Sequence, residues 1–593
     1  MMNQELRVCQ NCKTEFSIEP EDFAFYEKIQ VPPPTWCPEC RMVRRMLFRN
    51  QRTLYKRRVI GVDEEVFSVF PEDASFPVHY QKDWLSGGDD AVKYGKEYDF
   101  GRPFFAQLKE LMRAVPWQHA YNQNAEDSEY CSNAIDLKNC YLMFNSGFSE
   151  NCMYGSDVLR SRDSLDVADV LDSELSYELF HSEKCSRCFF SSDCVECADV
   201  WFSADLVNCH NCVGCVGLRH KQYCIFNKQY AKDEYSKMFE EFDFGSFRFI
   251  AEMKERLRKH KARYPVKFMR GYQNVDSSGD YLENSKDTRS SFISRGLENC
   301  AYCQMVLFMP GRDLYDVTIA GGERCYEISI GGGYNVFFSW LAGMSQGHTD
   351  VSYSMNCFNS SYLFGCVGLR NKKHCILNKQ YEPEEYESLV GRIVRHMNEM
   401  PYADKRGRIY RYGEFFPPDL SPYPYNETIA QEFFPLSKEE ALARGYGWRD
   451  TSPAAQHAIT AVSDSLPDHI RDARDSITGE VVGCSHQGKC AEQCTGAFKI
   501  TRQELLFYRK MNLPLPRLCH NCRHFERISQ RNPLRLYSWK CACAGAISES
   551  GKYQNQTLHF HGENPCPNAF ETSYPPERPE IVYCEACYQS EVV

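Results

Sequence analysis

A period of twelve residues runs through the middle of this chain and leaves few folds open to it. Steps of 12 from Cys140 land on Cys152, Ser164, Ser176, Cys188, Val200, Cys212 and Cys224. The neighbouring column reads Tyr141, Met153, Leu165, Tyr177, Phe189, Trp201, Val213 and Ile225. One column is small and the next is large and apolar. A third column reads Ser149, Ser161, Ser173, Cys185, Cys197 and Cys209. Like residues stacked at a short fixed period predict a β-solenoid, in which each coil buries little alone and stacking makes the core. Twelve residues are either one coil or half of a longer one, and both readings stay open. The block is also duplicated. Gly214-Cys215-Val216-Gly217-Leu218-Arg219 returns as Gly365-Cys366-Val367-Gly368-Leu369-Arg370, and Asn227-Lys228-Gln229-Tyr230 as Asn378-Lys379-Gln380-Tyr381. Residues 121–230 and 272–381 are therefore two solenoid copies.

The ends of the chain carry a second duplication. Cys9-x2-Cys12 precedes Cys37-x2-Cys40, and Cys490-x3-Cys494 precedes Cys519-x2-Cys522. From Cys12 onward the two align without a gap: Phe25-Tyr26 meets Phe507-Tyr508, and Arg41, Arg45 and Arg49 meet Arg523, Arg527 and Arg531. Four thiolates in two short-spaced pairs suit tetrahedral Zn²⁺, and four protein ligands leave no open position, so the expected role is structural. Cys9-x2-Cys12, Glu15-Phe16, Phe25-Tyr26 and Cys37-Pro38-Glu39-Cys40-Arg41 resemble a small family of zinc-binding domains of the zinc-ribbon or treble-clef kind. The whole chain resembles multidomain zinc proteins of candidate-phylum bacteria whose role is not established. The resemblance implies zinc and little more.

A third metal site follows from a concerted difference. Cys541, Cys543, Cys584 and Cys587 stand where the N-terminal copy has Val59, Gly61, Tyr80 and Asp83. All four thiols are missing together, as one shared site predicts. Cys566, His559 and His561 lie between these pairs and are alternative ligands; Cys484 and His486 are spare. About three structural Zn²⁺ ions are expected.

The fold class is therefore mainly β and multidomain: a tandem-duplicated β-solenoid with helical caps, flanked by N- and C-terminal zinc-ribbon-like modules. Helical spacing in 231–263 and 382–400 marks the caps, which cover strand edges at a coil end. The expected division is 1–58 zinc module, 59–120 connecting region, 121–230 first solenoid, 231–271 cap and linker, 272–381 second solenoid, 382–400 cap, 401–475 linker, 476–540 second zinc module and 541–593 C-terminal ribbon. Short helices are expected at Phe104–Met112 and Lys438–Arg444. No apolar run is long enough to span a membrane. The N-terminal residues form no apolar secretion signal, so the 31 cysteines read as metal ligands or small core residues in a reducing, cytoplasmic setting.

Charge supplies the functional leads. Arg41, Arg44, Arg45, Arg49, Arg52, Lys56, Arg57 and Arg58 follow the first zinc pair with no acid among them, and Arg523, Arg527, Arg531 and Arg535 repeat the pattern. Basic side chains after a zinc module contact phosphates of RNA or DNA, form a solvated basic face, or dock on the protein's own acidic solenoid. Residues 121–230 hold 17 Asp and Glu against 8 Lys and Arg, out of a net charge of −11. One column there, Asp157, Asp169, His181, Asp193 and Asp205, is either a cation or basic-partner ladder or a row of polar turns.

Three catalytic patterns are weak. Cys209-x2-Cys212-x2-Cys215 with Cys224 invites an iron–sulfur reading, but Ser360 and Leu363 replace the first two in the second copy. Cys185, Cys188, Cys194 and Cys197 invite a zinc reading of the same kind. Gly343-x-Ser345-x-Gly347 lacks the strand-to-helix context of a nucleophile elbow. No catalytic residue is assigned. The expected function is a non-enzymatic zinc scaffold that meets RNA or DNA through its basic modules or protein partners along the solenoid. The alternatives are an enzyme acting in a solenoid groove, as on a carbohydrate, and a purely structural protein.

Overall fold

A computed structural model describes residues 4–87, 90–342, 347–450, 458–545 and 553–593. The chain forms two compact units. Unit one comprises 1–120, 269–449 and 534–536; unit two comprises 121–268, 450–533 and 537–593. The N-terminal cysteine module thus shares a unit with the second solenoid, and the C-terminal modules share one with the first.

In unit two the strands pair in parallel with a step of one period, Ser156 with Ala168 and Leu159 with Leu171. One coil is therefore twelve residues. The backbone explains how so short a coil closes. From Asn124 to Phe226 every third residue has positive φ, between 42° and 70°. Each left-handed residue turns the chain at a corner, and two residues span each side. Asn and Asp recur at these corners because their short polar side chains tolerate that region. The repeated Gly-Cys-Val-Gly places Gly214 and Gly217, then Gly365 and Gly368, at successive corners.

Every third residue also points inward. Leu137, Cys140, Met143, Ser146 and Ser149 are all buried. Inward Ser and Cys make the same hydrogen bonds. Ser164 Oγ donates to Arg162 O at 2.8 Å and accepts from Ser176 N at 3.2 Å. Cys209 Sγ donates to Val207 O at 3.4 Å and accepts from Lys221 N at 3.4 Å. The large apolar column faces outward but is covered by helices and the turns between them in the same unit. Trp201 stacks on Phe244 at 4.0 Å, and Tyr177 meets Tyr508 edge-on at 5.7 Å.

The second solenoid is less regular. Leu297 pairs with Gly311 and Tyr334 with Thr349, so some coils are longer than twelve. Gly331-Gly332-Gly333 lets backbones approach there: a Cβ on Gly332, at φ +149°, would sit 1.8 Å from Gly321 O. Helices Lys232–Glu240 and Pro383–Glu399 follow the last strands of their copies as caps. Helices Phe104–Ala114 and Lys438–Ala443 match the expected short ones. The 401–449 part of the 401–475 stretch is more than a connector, because Tyr410, Phe415, Phe416 and Tyr425 are buried in unit one.

Candidate metal centres and their arginine clamps

Three modules share one design. A strand ends one residue before the first cysteine: Glu5–Val8 before Cys9, Val482–Gly483 before Cys484, Tyr537–Lys540 before Cys541. The second cysteine stands three residues before the return strand: Cys12 before Glu15–Ile18, Cys494 before Ala497–Phe498, Cys566 before Ala569–Thr572. The third caps a helix: Cys37 on Pro38–Met46, Cys519 on His520–Ile528, Cys584 on Glu585–Val592. The fourth, Cys40, Cys522 or Cys587, lies in that helix's first turn, where the helix dipole favours thiolate.

These positions draw the ligand sets. Cys9, Cys12, Cys37 and Cys40 converge as expected. In the second module Cys484, Cys494, Cys519 and Cys522 converge, so Cys484 takes the place expected of Cys490. The knuckle loop there is longer than in the first module, and the thiol that matters is the one directly after the strand. In the third, Cys541, Cys566, Cys584 and Cys587 converge, and Cys566 takes the place expected of Cys543 for the same reason.

The thiol spacings fit a metal. A tetrahedron with metal–sulfur bonds of about 2.3 Å has sulfur–sulfur edges of roughly 3.8 Å. Cys12 and Cys37 lie 3.7 Å apart, Cys494 and Cys519 3.9 Å, Cys519 and Cys522 3.5 Å, and Cys566 and Cys584 3.8 Å. In every module the first sulfur accepts the backbone N–H of the third cysteine: Cys37 N to Cys9 at 3.2 Å, Cys519 N to Cys484 at 3.3 Å, Cys584 N to Cys541 at 3.2 Å. Neighbouring thiols hold Cys9 and Cys519 well below the ordinary thiol range, Cys37 acting most on the first and Cys484 on the second. Each set can hold one ion.

The arginines behind these knuckles point into the protein. In unit one Arg41 reaches Asp316 at 2.8 Å, Arg44 reaches Glu327 at 2.7 Å and Glu414 at 2.8 Å, and Arg45 reaches Asp316 at 3.0 Å and Glu327 at 3.1 Å. In unit two Arg523 and Arg527 close on Asp166 at 2.9 and 3.1 Å, and Arg531 on Asp169 at 2.8 Å. Arg49 and Arg52 are buried as well. These eight side chains form no exposed phosphate-binding face, because burial leaves their guanidinium groups no phosphate to reach. Of the rest, Lys56 and Arg58 are exposed, Arg57 is half-buried against the carbonyl of Phe70, and exposed Arg535 pairs with Glu39. Burial raises the carboxyl of Glu327 against the pull of Arg44 and Arg45, and that of Glu504 against Arg523. Removing one partner of such a pair costs about 3–5 kcal/mol, because a charge is left buried alone.

The other candidates resolve as structure. Asp157, Asp169, His181, Asp193 and Asp205 are left-handed corners; His181 and Asp193 lie 3.1 Å apart, and Asp205 meets Arg219 at 2.8 Å. Among the described residues no three solenoid cysteines bring their sulfurs within 4.8 Å of one another. Of the Gly343-x-Ser345-x-Gly347 pattern, residues 343–346 lie outside the described residues. Among the described residues no helix is long and apolar enough to cross a membrane.

No protein-family model matches the chain, nor does any curated protein. Among solved structures it is similar to one from Desulfovibrio desulfuricans, described provisionally as an acetyltransferase, at 10% identity over 56% of this chain and 95% of that one. The TM-score is 0.09, which carries no argument about fold or activity.

Proposed function

We propose that the chain is a zinc-dependent, non-enzymatic scaffold in which each metal module clamps the flank of a β-solenoid and leaves the remaining coil faces to protein partners. One observation carries this reading. In both units the same two arginines of the knuckle helix, Arg41 and Arg45 or Arg523 and Arg527, close on one buried solenoid aspartate, Asp316 or Asp166. The basic run thereby acts inside the protein. The resemblance of the Cys9–Arg41 segment to zinc-binding domains and the all-sulfur ligand sets favour zinc over harder ions.

The test has two arms on the full chain. Chelation with a strong zinc chelator is expected to release the modules and expose the outer aromatic columns, read as a rise in binding of a hydrophobic dye. Binding to mixed-sequence RNA and DNA is expected to be absent at physiological salt. Micromolar binding that falls steeply with salt would replace the scaffold reading with a nucleic-acid one.

A further inference from the structure

Two further ligand sets sit beside the tetrads, and each shares the tetrad's last cysteine. Cys543, His559, His561 and Cys587 bring one ligand atom each to within 4.8 Å of one another, and so do His486, Cys490, Glu492 and Cys522. Cys587 and Cys522 are the same position in two modules. We infer that each C-terminal module holds two metal ions bridged by that thiolate. The inference rests on the metal reading of the tetrads and extends it.

The third module carries the argument furthest. Cys543 Sγ lies 3.1 Å from His559 Nδ1 and 3.4 Å from His561 Nε2, and His561 Nε2 lies 3.2 Å from Cys587 Sγ. These ligand atoms meet head to head. The opposite nitrogen of each ring is held as a metal-bound imidazole requires. His559 Nε2 lies 3.0 Å from the buried Glu591 carboxylate, and His561 Nδ1 lies 2.6 Å from the carbonyl of Asn564. Both rings are fixed with one nitrogen aimed at the sulfurs. Asn555 Nδ2 donates to Cys543 Sγ at 3.0 Å, a bond that favours thiolate. Glu591 is in turn held by Tyr553 Oη at 2.5 Å and Gln556 N at 2.7 Å. Two sulfurs and two imidazoles make a closed tetrahedral set for Zn²⁺.

The second module repeats the construction. Cys490 Sγ lies 3.7 Å from Cys522 Sγ, and His486 Nδ1 lies 3.1 Å from Glu492 Oε2. In both modules the extra ligands come from the lengthened knuckle loop between the first and second cysteines. The first module supplies the contrast. Its loop holds only two residues, and Asn11 Nδ2 donates to Cys40 Sγ at 3.3 Å on the corresponding sulfur.

Zinc content of the full chain, purified with excess zinc and then desalted, tests this directly. The expected value is five ions per chain, one for each of the five ligand sets. His561→Asn and Cys543→Ser are each expected to lose one ion and keep the tetrads. Zinc X-ray absorption is expected to show zinc–zinc scattering at roughly 3.5–4 Å, the distance across one shared sulfur with bonds of about 2.3 Å. Three ions in the wild type, unchanged in both variants and without zinc–zinc scattering, would overturn the inference while leaving the tetrads standing. Four ions, with one lost on His561→Asn, would overturn it for Cys522 alone. Absence of zinc altogether would sink the metal reading itself. The wild-type measurement decides even if a variant misfolds.

Discussion

Segments 55–86 and 537–592 run through the same elements, one without thiols and one with them. Each has a hairpin, Tyr55–Arg57 with Val66–Ser68 or Tyr537–Lys540 with Ala569–Thr572. Each then has a short strand, Val78–His79 or Ile581–Tyr583, and a helix capped by Tyr80 or Cys584. The positions of Cys543 and Cys587 are held by Gly61 and Asp83, and these remain neighbours: a Cβ on Gly61 would lie 2.3 Å from Asp83 Oδ2. The two differ in what fills the centre. In the thiol-free copy, Phe70 meets Phe76 edge-on at 4.9 Å, and Phe76 meets Trp117 at a tilt at 5.5 Å. Trp84 stands where Tyr588 stands, and each meets the equivalent solenoid arginine: Trp84 lies under Arg370 at 4.4 Å, and Arg219 donates to Tyr588 at 3.0 Å. An aromatic cluster and a cysteine tetrad thus accompany two copies of one fold.

The largest contrast is expected from Cys584→Ser. Structural zinc contributes on the order of 10 kcal/mol to a small module. Hydrogen exchange across helix Glu585–Val592 should rise to the unfolded rate, while helix Gln81–Ser86 keeps its protection. Unchanged protection of Glu585–Val592 would mean that its apolar contacts suffice without metal.

Phe76→Ala strikes the aromatic version instead, since Phe76 touches both Phe70 and Trp117. Loss of a buried Phe costs about 3–5 kcal/mol. Exchange should rise in 55–120 alone, and zinc content should not change. Equal exchange in wild type and variant would remove the aromatic core as the substitute for metal.

Acid separates the two further. Burial lowers the His119 pKa from its ordinary 6.5 to about 4. Its Nδ1 accepts the N–H of Gln81 at 2.9 Å, at the start of the metal-free helix. Between those values the unfolded chain binds a proton that the folded chain refuses. Stability therefore falls as pH drops from 6.5 toward 4, by up to roughly 3 kcal/mol. Exchange in 78–120 measured over that range should show the loss, and His119→Gln should flatten it. A flat wild-type profile would put the loss elsewhere.

The smallest effect is expected from Cys188→Ser within the solenoid. Ser already fills the same column and makes the same bonds, so Tm should shift by a degree or two and zinc content should stay constant. Loss of a metal ion on this change would restore a role for the solenoid thiols.

The solenoid was legible because its rules are local. Twelve-residue steps, small inward residues and Asn or Asp corners all repeat within reach of the eye. The first tetrad was legible because its knuckles are short. Cys484 and Cys566 were not, because lengthened loops separate them from their partners and place nearer thiols, Cys490 and Cys543, between them. Counting from the strands, one residue after and three before, finds both. The arginines left several readings open for a different reason. Arg44 pairs 283 residues away with Glu327, and Arg531 pairs 362 residues away with Asp169. A basic run shows its charge in the sequence and hides its partner.

That long reach imposes an order on assembly during translation. In unit two the seat at Asp166 leaves the ribosome long before Arg523 and Arg527 arrive to occupy it. In unit one the order is reversed: Arg45 emerges 271 residues ahead of Asp316. At elongation rates of about 5–20 residues per second, the first module waits on the order of tens of seconds with its guanidinium groups unmatched. During that interval the nascent chain carries an open cationic surface beside the most polyanionic body in the cell, the ribosome's own RNA. The two cysteine-tetrad ends are alike in their final form, yet only the leading one must survive this exposure.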